Sequence, residues 1–393
     1  YLVKNNKLDI QNFRTLKTFF SQDYKGKIFD KSKIIFKKKL LINFSSNDYL
    51  GLSQNKILKK RSILWTKKYG TGIASSRLVT GNYDFIENLE HKIANFKNYE
   101  SGTILSSGFQ CNSTVIPSLL ENTLGRKKEA IIFCDKLNHY SLNLGCFLSR
   151  QNVLRYKHSD FNHLEKLLKK NKHKRNKLIV TETLFSMDGD SINIDDIRLL
   201  ANKYDCMLYL DEAHSIGVRG VKGLGVHKDY SLKNDNEILI GTFSKAFGAY
   251  GSYVLCSHDN KKKINNFCSG FIYSTALPPN VLGAIEGGFE LIPKMNKERE
   301  KLDSVSKYLR LELKKIGFNT MNSDSHIIPL LISDINNATK IHDSLVNKGF
   351  FVSLIRPPTV PQNKIRLRIS LSSSISMRTI NNFLRNLETV AKN

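Results

Sequence analysis

The six cysteines in 393 residues form no CxxC pair and no Cys/His cluster. That excludes a zinc ribbon or a disulfide framework, implies no metal centre, and fits a reducing cytoplasm. No stretch approaches the roughly 18 consecutive apolar residues that cross a bilayer. The first residues also lack the basic, apolar and small-residue progression of a secretory leader. The expectation is a cytoplasmic protein without membrane contact. Internal repeats and low-complexity linkers are missing as well, which sets aside solenoids and flexible multi-module chains.

Acidic residues are scarce, 35 Asp and Glu against 61 Lys and Arg, giving a formal charge of +26. Such a balance invites a nucleic-acid partner. The cations, however, are 45 Lys and only 16 Arg in an Asn- and Ile-rich chain. They are spread along it, with short runs at 37–39 and 261–263 and a cluster at 166–177. No basic stripe carries interleaved aromatics. The charge therefore reads as compositional bias, and no nucleic-acid partner is expected.

What the sequence does contain is a recurrent alternation. Residues 1–40 are polar and basic and read as an arm with one helix. Beyond "LLINFSS", short apolar runs recur: "GTILSSG", "AIIFCD", "NVLRYK", "KLIVTET", "CMLYLDEAH", "EILIGTFSK" and "GSYVLCS". Runs of this length rich in Ile, Leu and Val predict strands buried on both faces. Segments such as "NHLEKLLKKNK" and "DIRLLANKYD" between them have helical spacing. Strand and helix in alternation predict an α/β domain with a mostly parallel sheet. Near residue 290 the pattern changes to "HIIPLLISD", a helix at 337–348, "FFVSLIRPPTVP", "KIRLRISLS" and a last helix at 376–391, a small α+β domain. The expected organisation is an arm (1–44), a large α/β domain (45–290) and a small C-terminal domain (291–393).

Open α/β sheets bind ligands beyond the carboxyl ends of their strands. The residues placed there are Gly108 and Phe109, His139, Ser186, Asp211 and His214, and Thr242 to Lys245. Asp211 ends a buried strand, where a carboxylate needs a cation or hydrogen bonds. It is a helix cap, a salt-bridge partner, or the carboxylate that faces a protonated pyridine nitrogen, with His214 close to the same ring. Lys245 closes the next strand among small and apolar residues, where desolvation lowers a lysine's pKa and makes it a Schiff-base nucleophile. An Asp after one strand and a Lys after the next suits pyridoxal phosphate. Gly108, at a strand-to-helix turn, offers helix N–H groups to the phosphate, and Ser186 and Thr242 offer hydroxyls. His139 either stacks on the ring or is a polar loop residue.

Six motifs, "NFSSNDYLGLS", "GTGIASSRLVTGN", "LFSMDGD", "LDEAHSIGVRG", "GTFSKAFGAYG" and "IYSTALPP", together resemble those of the α-oxoamine synthases over residues 40–390. These are pyridoxal-phosphate enzymes of the aspartate-aminotransferase fold (fold type I) that condense an amino acid with an acyl thioester and release carbon dioxide. "FIYSTALPP", "IRPPTVP" and "IRLRISL" are most similar to the branch that joins L-alanine to a pimeloyl thioester in biotin synthesis. The resemblance implies that Lys245 holds the cofactor, Asp211 its pyridine nitrogen and His214 its 3′-oxygen. It places His139 on the ring face, Gly108 and Phe109 beside the cofactor, and Ser186 and Thr242 among the cofactor and phosphate contacts. Thr275 would reach the phosphate of a neighbouring subunit, which implies a homodimer. Arg368 would clamp the alanine carboxylate with help from Asn47; Thr359 would face substrate, and Arg14 would touch the acyl chain. Pimeloyl-CoA or a pimeloyl-acyl carrier protein is the expected acyl donor. The chain departs from the family's glycine-rich GSGGSR at Ile73 and Ala74, and it has Tyr140 and Cys111 where smaller residues are usual. A sister activity, glycine or serine with another acyl-CoA, is the alternative.

Overall fold

In the computed structural model, the residues described are 16–392 apart from 23–25, 27, 29–30, 121–128, 226–235, 333 and 358. A hairpin comes first, Lys33–Phe36 (β1) and Lys39–Asn43 (β2), with Lys37 and Lys38 alone in its turn at φ 49° and 62°. Positive φ at both turn residues is what a tight hairpin demands. Among the described residues the arm holds this hairpin and no helix; residues 1–15, where the expected helix could fall, lie outside them. The physical reason is a non-local one: Leu41 clusters with Val346 and Phe351, with Ile34 and Phe36 against them, and β2 pairs with a strand near residue 350.

Helices Lys56–Tyr69 (α1) and Asp84–Phe96 (α2) precede the main sheet. Its strands are Ser101–Leu105 (β3), Ala130–Asp135 (β4), Asn152–Tyr156 (β5), Asn176–Glu182 (β6), Met207–Asp211 (β7), Glu237–Thr242 (β8) and Ser252–Cys256 (β9). Between them lie Gly108–Leu120 (α3), Tyr140–Leu148 (α4), Phe161–Lys170 (α5) and Ile194–Lys203 (α6). The order is β3-β9-β8-β7-β6-β4-β5, with β9 antiparallel to both neighbours and the rest parallel. Every residue of β3, β4, β8 and β9 is buried, as continuous apolar runs covered on both faces require. Helices start where the sequence supplies caps: Asp160 accepts the His163 N–H at 2.8 Å, and Asn193 that of Asp195 at 3.1 Å.

After β9 come His258–Phe267 (α7), Ser269–Ile272 (α8), Pro279–Leu291 (α9) and Asn296–Lys315 (α10). The chain then forms Ile327–Leu331 (β10), Ile335–Asn347 (α11), Phe350–Phe351 (β11), Ser353–Ile355 (β12), Arg366–Ser370 (β13) and Met377–Lys392 (α12). Here β13 lies between β10 and β12 in an antiparallel sheet, while β11 pairs with β2. Among the described residues no helix is long and apolar enough to cross a membrane.

One loop, 185–190 after β6, fastens the two larger sheets together. Gly189 (φ 72°) has no room for a side chain, because a Cβ would stand 1.9 Å from the Ile327 carbonyl oxygen on β10. Ser325 Oγ donates to the Gly189 carbonyl at 2.7 Å, and Asp188 pairs with Arg366 of β13. From the other side His158 contacts Asp135 Oδ1 through Nδ1 at 3.0 Å and Asp190 Oδ2 through Nε2 at 2.8 Å. Burial works to lower the His158 pKa, but its bonds to Asp135 and Asp190 outweigh that and raise it to about 10. His158, Asp188 and Asp190 have metal-ligand spacing, with ligand atoms within 4.8 Å of one another. Here the imidazolium and Arg366 already balance those carboxylates.

A pH dependence follows with a definite sign. Because the folded pKa lies above the ordinary value of about 6.5, the clip stabilises fully below about pH 6.5 and loses its effect as pH rises through about 10. Thermal melts should therefore show wild type above His158→Gln by a gap that is widest at pH 6 and closes by pH 10. A gap independent of pH would mean that His158 acts by shape alone.

Candidate active site

The register of the main sheet sets Glu182 beside Asp211, and Asp211 beside Ile240. The ends of β6, β7 and β8 thus open on one crevice, where Lys245 follows β8. Lys245 is half-buried, and burial of its amine lowers the pKa to about 8, against the upward pull of Asp211 and Glu182. Near neutral pH a useful share of this lysine is unprotonated, which an ordinary surface lysine would not be. The loop carrying it is held by packing. A Cβ on Gly248 (φ 62°) would lie 2.3 Å from the Ser53 nitrogen, and one on Gly241 would overlap the Tyr253 ring at 2.1 Å. These two glycines serve close approach of protein to protein.

Asp211 is buried and accepts from Asn112 Nδ2 at 2.7 Å and from the Ala213 N–H at 2.9 Å. Neither the helix-cap nor the salt-bridge reading is met among the described residues: turns, not a helix, follow Asp211, and its partners are a neutral amide and a backbone N–H. Glu182, also buried, accepts the His139 N–H at 2.6 Å; burial, then Asp211, push its pKa well above the usual range. The strand-end carboxylate that singles out Asp211 is equally present in "VTETL", and sequence reasoning passed over it.

His214 is buried, and its Nδ1 lies 2.6 Å from Tyr49 Oη, which donates to Asn47 Oδ1 at 3.2 Å. Burial, then Lys245 and Arg368, drive the His214 pKa well below the ordinary value, so the ring is neutral. Burial raises Tyr49 to about 12 and keeps it a phenol. Asn47 thus enters the site through Tyr49, a residue of the same "SSNDYLG" motif that the sequence reading left out.

His139 caps α4. Its Nδ1 lies 2.7 Å from Ser141 Oγ and accepts the Ser141 N–H at 3.3 Å. Although its environment is desolvating, the residue as a whole is exposed, so a capping side chain still presents a face for stacking. Gly108 opens α3, with Thr242 Cβ 3.8 Å from where its Cβ would stand, and Phe109 is next, 49% exposed. The Gln110 N–H is capped by Ser107 Oγ at 3.1 Å, and Gln110 Oε1 accepts the Ser106 N–H at 3.0 Å. That leaves the first N–H groups of the helix for an anion. Thr242 donates its hydroxyl to the Gly251 carbonyl at 2.9 Å, and the exposed Ser244 hydroxyl stands 2.8 Å from it.

Arg368 is buried on β13 and donates from Nε to the Ser186 carbonyl at 2.6 Å, so loop 185–190 seats both residues. Two expected residues stand apart. Thr275 is exposed and bridges Ser76 through the backbone, and its neighbour Ser274 places Oγ 3.5 Å from Ser106 Oγ. Thr359 is exposed on the 356–361 turn, its N–H on the Arg356 carbonyl. Arg14 lies outside the described residues. Ala74, where the family has glycine, takes φ 58°, a left-handed conformation that favours glycine.

Residues 39–387 match the aminotransferase class I and II family. A putative 8-amino-7-oxononanoate synthase of Magnetococcus marinus is 43% identical over 86% of this chain and 85% of its own. The 8-amino-7-oxononanoate synthase of Gluconacetobacter diazotrophicus is 39% identical over 90% and 88%. Among solved structures, the 8-amino-7-oxononanoate synthase of Francisella tularensis superposes with TM-score 0.76 at 28% identity, covering 90% of this chain and 98% of that one. A PLP-bound serine palmitoyltransferase from S. paucimobilis shares the fold, with TM-score 0.87 at 24% identity over 95% and 92%.

Proposed function

Because the chain belongs to the aminotransferase class I and II family, with 8-amino-7-oxononanoate synthases among its relatives, we propose that it joins L-alanine to a pimeloyl thioester. The products are 8-amino-7-oxononanoate, carbon dioxide and the free thiol carrier, a step of biotin synthesis. The observation that carries this reading is Lys245, with its pKa lowered to about 8, facing the Asp211 and Glu182 carboxylates at adjoining strand ends.

The donor set fits pyridoxal phosphate: an amine of lowered pKa for its aldehyde, a buried carboxylate for its ring nitrogen, and a helix N-terminus for its phosphate. When bound there, the cofactor supplies an electron sink for a carbanion at the amino acid's Cα. Lys245 Nζ, part of which is free of a proton near neutral pH, would take the Cα proton and return it after decarboxylation. Arg368, fixed through Nε by the Ser186 carbonyl, turns its remaining N–H groups to the alanine carboxylate. The neutral His214 offers its Nε2 side to the cofactor's oxygen, while its Nδ1 is held by Tyr49. Thr275, exposed on its turn, supports a homodimer in which it serves the partner's site.

The test compares turnover of alanine plus pimeloyl-CoA with glycine plus acetyl-CoA. Faster use of the second pair would assign the chain to the sister activity. Pocket shape discriminates these amino acids by only about 1–3 kcal/mol, so the ratio has to be measured.

The hairpin tip bears on the carrier. Lys37, Lys38 and Lys39 are exposed together, and an acidic acyl carrier protein would be steered by such a cluster. With screening beyond about 10 Å at 0.1 M salt, kcat/KM for the protein-bound thioester should fall steeply with salt, far more than for pimeloyl-CoA. Replacing the three lysines by Gln should flatten that slope. Equal salt dependence for the two donors would return these lysines to compositional bias.

A further inference from the structure

Behind the crevice one buried side chain touches both sides of the cofactor's place. Asn112, on the second turn of α3 and 2% exposed, donates from Nδ2 to Asp211 Oδ2 at 2.7 Å and to Ser141 Oγ at 3.0 Å. Its Oδ1 accepts from Tyr209 Oη at 3.0 Å. A carboxylate only accepts, so the amide's orientation is fixed: one N–H goes to Asp211, the other to Ser141.

The consequence runs on to His139. With its oxygen accepting from Asn112, Ser141 keeps its own hydroxyl proton to donate. His139 Nδ1 is 2.7 Å away and also receives the Ser141 backbone N–H at 3.3 Å. Two donors aimed at one ring nitrogen require a lone pair there. His139 is therefore neutral, with its proton on Nε2. Burial lowers its pKa in the same sense, against the pull of Asp211.

We propose that Asn112 is a positioning residue that sets, through a single amide, both the aim of Asp211 at the cofactor's pyridine nitrogen and the neutral Nε2–H tautomer of His139. The two branches serve one end. A carboxylate beside the pyridine nitrogen favours its protonated form, whereas a cationic imidazole on the ring face would oppose it. Holding Asp211 in line, and His139 uncharged, keeps the ring a strong electron sink. It also makes His139 a hydrogen-bond donor through Nε2 and denies it a resting charge.

The pyridine half rests on the pyridoxal-phosphate reading above; the His139 half does not. The experiment is ¹⁵N NMR of the full-length protein with labelled histidine, loaded with ring-¹⁵N pyridoxal phosphate. In wild type, His139 should show an unprotonated Nδ1 and a protonated Nε2, titrating below the ordinary histidine value, and the pyridine nitrogen should be protonated. Asn112→Leu should move both: mixed tautomers at His139 with a titration closer to the ordinary value, and a pyridine signal shifted toward the unprotonated form. Ser141→Ala should move only the histidine. Tyr209→Phe, which frees the far end of the amide, should shift both in the direction of Asn112→Leu and by less. These last two variants decide the matter if Asn112→Leu does not fold. Wild-type signals for His139 in Ser141→Ala, or for both nitrogens in a folded Asn112→Leu, overturn the proposal. Labelled cofactor that borohydride fails to fix on Lys245 would instead sink the cofactor reading, and the His139 signals would still be scored.

Discussion

Lys245→Ala should lose turnover by four or more orders of magnitude, roughly the 10²–10⁴-fold of a lost proton-transfer group multiplied by the loss of the covalent link. The size follows from the double duty of one atom. Nζ both anchors the cofactor and carries the Cα proton, and among the described residues the other amines near the crevice are not available. Lys97 is fully buried, its amine held by Glu212 and the Leu224 carbonyl. Borohydride should bleach the wild-type colour and fix the cofactor to the peptide containing Lys245. The variant should bind cofactor reversibly with nothing fixed. The rate at which cofactor-free protein takes up pyridoxal phosphate covalently should rise with pH and level off above about 8, following the unprotonated amine. Levelling only beyond pH 10 would mean that Lys245 keeps an ordinary lysine's pKa, and label on any other lysine would displace it from the centre of the site.

The parts of this arrangement legible in the sequence are those with local signatures. The buried strands announce themselves as unbroken apolar runs, and "AIIFCD" and "EILIGT" coincide with β4 and β8. Residues at a strand's end or within three places beyond it, such as Asp211 and Lys245, inherit that legibility because the sheet fixes where strand ends go. Asn112 has no such signature. It sits inside a helix, 99 residues before the carboxylate it holds, and only the packing of α3 on the sheet brings the two together. Tyr49 is similar: its partner His214 lies 165 residues away. The hairpin at 33–43 is illegible for the same reason, since its apolar face has meaning only against Val346 and Phe351. Glu182 differs. Its signal was local and equal to that of Asp211, but no resemblance drew attention to it.

Beneath the crevice the main sheet carries a second kind of charge, and Arg198→Met should expose its role. Arg198 of α6 and Glu237 of β8 are both wholly buried, with Nε and one terminal nitrogen on the two carboxylate oxygens at 2.8 and 2.9 Å. Tyr99 adds its hydroxyl to the same carboxylate. Such a fork satisfies both partners, but the water each ion gave up is a large debit. Removing only the guanidinium leaves Glu237 charged or newly protonated in an apolar strand. Unfolding stability should fall by about 3–5 kcal/mol, the usual loss for breaking a buried pair. The pair Arg198→Met with Glu237→Leu removes both charges, and it should recover most of that loss despite deleting more native contacts. Denaturant unfolding of the two single variants and the double closes the cycle. A double variant no more stable than either single would show that the fork stabilises the sheet beyond its desolvation. Recovery would show that the fork chiefly dictates how α6 seats on β8, the strand that ends three residues before Lys245.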